Sequence, residues 1–362
     1  MDRYEGCIIG GAIGDALGWP VEFLSLADIK ARYGDEGITG LDIGIGTKAE
    51  ITDDTQMTIF TADGLLRFIA SSREKDGAVP ESRLKFGSAG QSYSDLSVYV
   101  YRSYLRWLLT QGEKLPADCQ ADNDINNGWL MEIKELHHRR APGNTCITAL
   151  RNGIMGTMEK PVNNSKGCGG IMRAAPAGLV ANREQAFLAG AQVAAITHGH
   201  PSGYLAAGAL SYIIRCIVDG MDIDQAVDGS ITELEKYDGS QECVSAIIKA
   251  LQLASKGNPD AEKVSMLGEG WVAEETLAIA IYCSLSYRDD FRKAVLLAVN
   301  HSGDSDSTGA VTGNILGAYL GAEAIPEIWS YGIELSAELR ELAGDLRKMY
   351  RDHDIWRYKY PI

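Results

Sequence analysis

Two acidic segments, far apart in the chain, carry the strongest chemical signal in this sequence. The first reads T-D-D-T at 52–55, and the second reads G-D-S-D-S-T-G at 303–309. Each precedes apolar or glycine positions at helical spacing, so each should open a helix, where free amides and the helix dipole favour negative charge. Four carboxylates brought together would repel one another, and two divalent cations would neutralise them. Oxygen donors from Asp, Thr and Ser suit Mg²⁺ or Mn²⁺, whereas zinc favours His or Cys.

Each acidic segment taken alone has a simpler interpretation, because Asp, Ser and Thr are the preferred N-caps of helices. The second segment also resembles the start of an EF-hand calcium loop. That interpretation fails because Ile315 occupies the twelfth position, where a bidentate glutamate is required. A shared cation site therefore requires the two segments to converge in space.

Three other positions could contribute to a reaction. Glu22 follows a proline and could act as a general acid or base, although it could equally be a solvated loop residue. The glycine-rich turn at 165–173 could form an anion-binding nest of backbone amides, which suits a pyrophosphate. Cys168 in this turn is a candidate nucleophile, but no His or Asn placement in the sequence supports that role.

Several histidines and a basic turn have two interpretations each. His198 and His200 follow a small-residue segment at 186–196 that is predicted to be a helix, and they could contact a ligand or cap this helix. His301, next to the second acidic segment, could support that segment or simply pack in the core. The basic turn at 139–145 could take part in the site or mark the end of a helix.

The elements that must position these residues are predicted to be helices. Apolar residues recur at helical spacing within 60–69, 204–217, 244–251, 291–299 and 339–349. Long alternating runs of β-branched residues are missing from the sequence, which argues against a sheet. The stretches at 34–46 and 72–92 have the composition of long loops rather than of domain boundaries. We therefore predict one all-α domain over residues 1–362.

Two series of glycines recur at intervals of four residues. They are Gly6, Gly10, Gly14 and Gly18, and Gly309, Gly313, Gly317 and Gly321. Residues four apart share one face of a helix, so each series would form a stripe without side chains. Each glycine costs about 1 kcal/mol relative to alanine in a helix interior, so close backbone packing must offset this cost. We predict two closely packed buried helices, with each other as candidate partners. The alternative is coincidence in a chain with 40 glycines.

Composition excludes several classes of function. The chain has 362 residues and a net charge of −15, which argues against a nucleic-acid-binding protein. Its seven cysteines are widely spaced without a C-x-x-C motif, as in a protein with reduced thiols. The N-terminus lacks the pattern of a signal peptide, and the uninterrupted apolar runs are far below the ~18 residues that a membrane span needs. We expect a cytoplasmic protein that does not bind membranes.

Taken together, these segments resemble the ADP-ribosylglycohydrolases, which include the dinitrogenase-reductase-activating glycohydrolases and the ADP-ribosylarginine hydrolases. The similarity runs in order through 6–22, 52–58, 140–145, 165–173, 197–201 and 301–321. Its most specific part is the pairing of T-D-D-T with G-D-S-D-S-T-G. The resemblance implies an all-α orthogonal helical bundle with two Mg²⁺ or Mn²⁺ ions in a cleft.

The resemblance also assigns roles by position. The implied metal ligands are Thr52, Asp53, Asp54, Asp304, Asp306 and Ser307. The implied substrate-binding residues are Gly167, Cys168, Gly169 and Gly170, as the loop for the ADP-ribose phosphates, and His198. Glu22 matches a mobile glutamate that lies over the substrate, and Glu22 and Asp304 are the candidate catalytic residues. Ser307 and Cys168 are both similar to the arginine-specific branch.

The activity implied by the resemblance is hydrolysis of the N-glycosidic bond between ADP-ribose and an arginine of a modified protein. One alternative is hydrolysis of another ADP-ribosyl linkage, to serine, a nucleobase or a small metabolite. A second alternative is an immunity protein that binds and occludes an ADP-ribosylating toxin or reverses its modification. The expected partners are an ADP-ribosylated protein and, in the immunity case, an ADP-ribosyltransferase toxin.

Overall fold

The computed structural model describes residues 1–43, 47–76, 93–119, 125–349, 351 and 353–362. Within these ranges the chain forms seventeen α-helices, six short 3₁₀ helices and no β-strand. The helices are α1 Arg3–Gly18, α2 Leu26–Tyr33, α3 Asp53–Asp76, α4 Tyr93–Thr110, α5 Asn144–Arg151, α6 Ala175–Val180, α7 Arg183–Ala195, α8 Pro201–Val218, α9 Ile223–Leu234, α10 Gln241–Ala254, α11 Ala261–Leu267, α12 Ala273–Ser286, α13 Phe291–Val299, α14 Ser305–Leu320, α15 Glu327–Gly332, α16 Ser336–Lys348 and α17 Asp354–Lys359. The prediction of an all-α fold is confirmed.

Most of the predicted helices lie where the apolar spacing placed them, in α3, α8, α10, α13 and α16. The loop predicted from 72 begins too early, because α3 continues to Asp76. Ser72 is accommodated inside this helix since its hydroxyl donates to the carbonyl oxygen of Phe68 at 2.8 Å. Residues 34–43 form no helix, as predicted. The rest of the two predicted loops, 44–46 and 77–92, lies outside the described residues.

The two glycine stripes pack against each other, as predicted, with α1 and α14 running antiparallel. Three pairs face each other: Gly6 with Gly317, Gly10 with Gly313, and Gly14 with Gly309. A Cβ atom at any of these positions would overlap the carbonyl oxygen of the partner glycine. Gly18 faces the backbone of Ser305 and Asp306, so the end of α1 lies against the start of α14. Gly321 differs from the others, because it terminates α14 with a positive φ of 79°.

The buried apolar side chains form one continuous cluster that includes residues of α1, α3, α8, α12 and α14. The assignment of residues 1–362 to a single domain stays a prediction. One helix of the described chain, α8, is long and apolar enough by itself to cross a membrane, and 89% of it lies buried inside the protein. Such burial is typical of a core helix. All seven cysteines are free thiols.

Candidate active site

The two acidic segments open α3 and α14 and meet in one cleft. Ser307 Oγ, in the first turn of α14, donates a hydrogen bond to Asp54 Oδ2, in the first turn of α3, at 2.9 Å. The packing of Gly18 on the backbone of Ser305 and Asp306 brings the end of α1 to the same place. The cleft has a volume of about 430 Å³. The convergence that a shared cation site requires is therefore present.

Most of the residues predicted from the sequence line this cleft. They are Glu22, Asp53, Asp54, Gly167, Cys168, Gly169, His198, Asp304, Asp306 and Ser307. Thr52 and Gly170 are buried beside the cleft and are not among its lining residues. For Thr52 the reason is local, since it precedes α3 and its backbone amide is held by Asp15.

The donor set of the cleft fits a hard cation, because its side chains offer carboxylate and hydroxyl oxygens. In their present positions, however, no three Asp, Glu, His or Cys side chains of the described chain form a group that could hold a metal ion. Their oxygens instead accept hydrogen bonds from neighbours. Asp304 Oδ2 accepts from the Cys168 thiol at 2.8 Å, and Asp304 Oδ1 accepts from the Ser307 amide at 3.2 Å. A bound cation would have to replace some of these contacts.

Burial and mutual repulsion raise the pKa values of the carboxyl groups in the cleft. Burial is the main cause for Asp53, whose pKa rises to about 8, with a further contribution from Asp15 and Asp304. The pKa values of Asp54 and Asp306 also lie well above their usual range, first because of burial and then because of neighbouring carboxylates. Removing the protons from these carboxyl groups is therefore costly unless a cation balances their negative charge.

Comparison with known proteins connects this geometry to a family. The ADP-ribosylglycohydrolase family model matches residues 1–355. The chain belongs to the ADP-ribosylglycohydrolase family. The predicted resemblance is thereby confirmed over nearly the whole chain.

Two relatives and one solved structure are similar to this chain over most of its length. The chain is 23% identical to an ADP-ribosylarginine hydrolase Tri1 of Serratia proteamaculans, over 98% of this chain and 81% of the relative. It is 24% identical to an ADP-ribosyl-[dinitrogen reductase] glycohydrolase of Rhodospirillum rubrum, over 93% of this chain and 92% of the relative. A solved ADP-ribosylglycohydrolase-related protein complex matches 96% of this chain and 98% of its own, with a TM-score of 0.54 and 22% identity, which shows the fold.

In this ADP-ribosylglycohydrolase, Asp15 supports the first acidic segment, a role that the sequence analysis missed. Asp15 lies fully buried in α1. Its carboxylate accepts hydrogen bonds from the backbone amides of Thr52, at 3.0 and 3.1 Å, and Thr55, at 3.1 Å, and also from the Thr55 hydroxyl. Burial raises the pKa of Asp15 to about 6, whereas the hydrogen bonds lower it. The sequence feature that could have indicated this role is a charged residue inside a glycine-rich helix predicted to be buried.

We expect Asp15→Asn to destabilise the protein by about 1–3 kcal/mol, because one amide or hydroxyl donor of the Thr52–Thr55 segment would face an NH₂ group and lose its acceptor. Urea unfolding monitored by circular dichroism measures this change. The control is Asp228→Asn, since Asp228 is exposed on α9. An Asp15→Asn variant as stable as this control would contradict the supporting role.

Glu22 lines the cleft of this family member and directly follows the 3₁₀ turn Trp19–Val21. Its side chain is half-buried, and its Oε2 atom is buried without a hydrogen-bond partner among the described residues. Burial, with the charges of Asp304 and Asp53, raises the pKa of Glu22 to about 8. The exposed neighbour Phe23 stacks on the Trp271 ring at a centroid distance of 5.3 Å. Glu22 is therefore not a fully solvated loop residue, and its role as an acid or base stays a prediction.

The glycine-rich turn forms one wall of the cleft, and two of its backbone amides already have partners inside the protein. The Gly167 amide donates to Ser165 Oγ at 3.3 Å, and the Cys168 amide donates to the carbonyl oxygen of Trp271 at 3.1 Å. Burial and the Asp304 carboxylate raise the pKa of the Cys168 thiol well above its usual range. Because a thiolate is the reactive form, Cys168 is unsuited to act as a nucleophile.

The histidines separate into different roles. His200 caps the helix that follows it, α8, and not the preceding one, since its Nδ1 atom accepts from the Ser202 amide at 3.1 Å. His198 does not cap this helix and lines the cleft. His301 is buried, and its Nε2 atom lies 2.8 Å from the Thr308 hydroxyl, so it packs behind the first turn of α14.

The basic turn belongs to the site, and it also follows the end of a short 3₁₀ helix, Lys134–His137. It leads into α5, and its Gly143 amide donates to Asp53 Oδ2 at 3.2 Å. The Asp53 amide in return donates to the carbonyl oxygen of Arg140 at 3.0 Å. The turn therefore holds Asp53 through both its carboxylate and its backbone amide.

Proposed function

We propose that this ADP-ribosylglycohydrolase hydrolyses the N-glycosidic bond between ADP-ribose and an arginine side chain of a modified protein. The observation that carries the proposal is the Ser307–Asp54 contact, which joins the two acidic segments in one cleft beside the Gly167–Gly170 turn. A relative named for ADP-ribosylarginine supports arginine as the modified residue, and a relative named for ADP-ribosyl dinitrogen reductase supports a modified protein as the substrate.

We assign two Mg²⁺ or Mn²⁺ ions to the cleft. The residues that would hold them are Thr52, Asp53, Asp54, Asp304, Asp306 and Ser307. When bound, such ions would neutralise the carboxylates and orient the ribose hydroxyls. Thr52 is buried and does not line the cleft, so its side chain would have to move before its hydroxyl could contact a cation.

The carboxylates of the chain itself carry the proton transfers in this proposal. Breaking the N-glycosidic bond develops positive charge on the ribose ring, which nearby carboxylates stabilise. The attacking water must lose a proton, and the departing guanidine must gain one. We assign these transfers to Asp304 and Glu22 because both line the cleft and Glu22 Oε2 has no hydrogen-bond partner within the described residues.

Release of ADP-ribose from arginine, serine and nucleobase conjugates, measured side by side with Mg²⁺ present, tests the linkage. We expect the arginine conjugate to be cleaved fastest. Faster cleavage of another conjugate would overturn the assignment of arginine. A protein that releases ADP-ribose from none of the three would overturn the hydrolase assignment itself.

Divalent cations should stabilise the fold, because a ligand that binds only the native state adds about 2.7 kcal/mol at a concentration of 100 times its Kd. We expect Mg²⁺ or Mn²⁺ to raise the midpoint temperature of thermal unfolding and EDTA to reverse the effect. Asp304→Asn should lose most of this shift, whereas Asp228→Asn should keep it. If neither Mg²⁺ nor Mn²⁺ changed the unfolding temperature of the wild-type protein, the proposed cation site would be contradicted.

A further inference from the structure

Behind the cleft wall lies a buried arginine whose described partners are all neutral. Arg173 is fully buried, and its guanidinium lies over the Tyr104 ring at 4.3 Å from the centroid. Nη1 donates to the sulfur atoms of Cys146 and Met57, at 3.2 and 3.4 Å. Burying a cation without an adjacent carboxylate costs free energy, which suggests that this charge serves the site.

Thr197 connects this arginine to the cleft. Arg173 Nη2 donates to Thr197 Oγ1 at 2.6 Å, and the same oxygen lies 2.9 Å from His198 Nδ1. The hydroxyl oxygen accepts from the guanidinium, so its own hydrogen can point to Nδ1. A nearby positive charge also favours a lone pair over an N–H group at Nδ1. Both effects place the single proton of the neutral imidazole on Nε2.

The Nε2 atom of His198 faces the glycine-rich turn. A Cβ atom at Gly169 would lie 3.3 Å from Nε2, and one at Gly167 would lie 3.6 Å away. The two glycines therefore leave this face of the ring uncovered, and His198 lines the cleft. The amides of Gly167 and Cys168 already have partners inside the protein. An N–H group on His198 would therefore supply a further hydrogen-bond donor for an anion bound at the turn.

We propose that Arg173 and Thr197 are positioning residues that fix His198 in the Nε2–H tautomer, so that a neutral His198 donates a hydrogen bond to a phosphate oxygen of the ADP-ribosyl group. A neutral donor is suited to this place because a protonated ring would add a second buried cation beside Arg173. The inference rests on the proposed function for the identity of the ligand, but the tautomer is a property of the protein alone.

The tautomer can be read from ¹⁵N chemical shifts of the full chain labelled at its six histidines. The His198 signals are those lost in His198→Gln. We expect wild-type Nε2 to show the shift of a protonated ring nitrogen and Nδ1 that of an unprotonated one. Thr197→Val removes the hydroxyl at similar volume and should give a mixture of tautomers, whereas Thr197→Ser should restore the wild-type pattern. A proton on Nδ1 in the wild type, or an unchanged pattern in Thr197→Val, would overturn the inference.

Calorimetric titration with ADP-ribose gives the second readout. We expect Thr197→Val to weaken binding about tenfold, which corresponds to the loss of one hydrogen bond, and Thr197→Ser to bind within about threefold of the wild type. Equal affinity in Thr197→Val and the wild type would contradict the role of the tautomer in binding. If ADP-ribose binds as expected while the arginine conjugate is not cleaved, the proposed function fails and the inference stands.

Discussion

Replacing Asp304 or Asp54 by Asn is expected to lower kcat/KM for ADP-ribosyl-arginine by about 10³-fold or more. The two carboxylates come from separate segments, and Ser307 joins them, since its hydroxyl bonds Asp54 and its amide bonds Asp304. Losing either charge would weaken cation binding and the stabilisation of positive charge on the ribose. Initial rates of ADP-ribose release at saturating Mg²⁺ measure the effect.

The matched control for this experiment is Asp228→Asn, which changes an exposed carboxylate on α9 and should keep the wild-type rate. Circular dichroism of each variant separates loss of activity from loss of fold. Near-normal turnover in both Asp54→Asn and Asp304→Asn would rule out a mechanism that depends on the two acidic segments.

Gly313→Ala is expected to destabilise the protein by about 3 kcal/mol or more, because overpacking against backbone atoms leaves little room for relaxation. The new methyl group would overlap the carbonyl group of Gly10, and neither helix backbone can rotate away as a side chain could. The free energy of unfolding from urea titration measures this loss.

Gly344→Ala, measured in the same urea titration, is expected to change the free energy of unfolding in the opposite direction. Gly344 lies in α16, where the atom nearest to an added Cβ is the flexible end of Lys348, at 3.7 Å. Alanine should therefore raise the stability by about 0.5–1 kcal/mol, through lower entropy of the unfolded chain. Equal stability of Gly313→Ala and Gly344→Ala would contradict the conclusion that the close contact between α1 and α14 requires glycine at position 313.

The sequence was sufficient to predict features that repeat or that cluster locally. Periodic apolar residues predicted helices such as α8 and α13, and the spacing of four predicted the glycine contact between α1 and α14. The two acidic segments were recognisable because their residue types suit one chemistry. The family resemblance then placed them in a common cleft.

Other features depend on contacts between distant segments, which leave no local pattern. The hydrogen bonds that Asp15 accepts from the amides of Thr52 and Thr55 join α1 to the start of α3. The hydrogen bond from the Cys168 amide to the carbonyl oxygen of Trp271 likewise depends on how two loops meet. The cytoplasmic location and a toxin partner stay predictions.

The contact between α1 and α14 has a consequence for how this protein can vary in length. Backbone lies directly on backbone at Gly6, Gly10 and Gly14, and Glu22 follows the end of the same helix. Deleting one residue before Gly14 would turn the remainder of α1 by about 100° and shift it by about 1.5 Å. Asp15 and Glu22 would then leave their neighbours on α3 and α14. Insertions and deletions should therefore be tolerated in exposed segments such as 34–36 and rejected within either glycine helix.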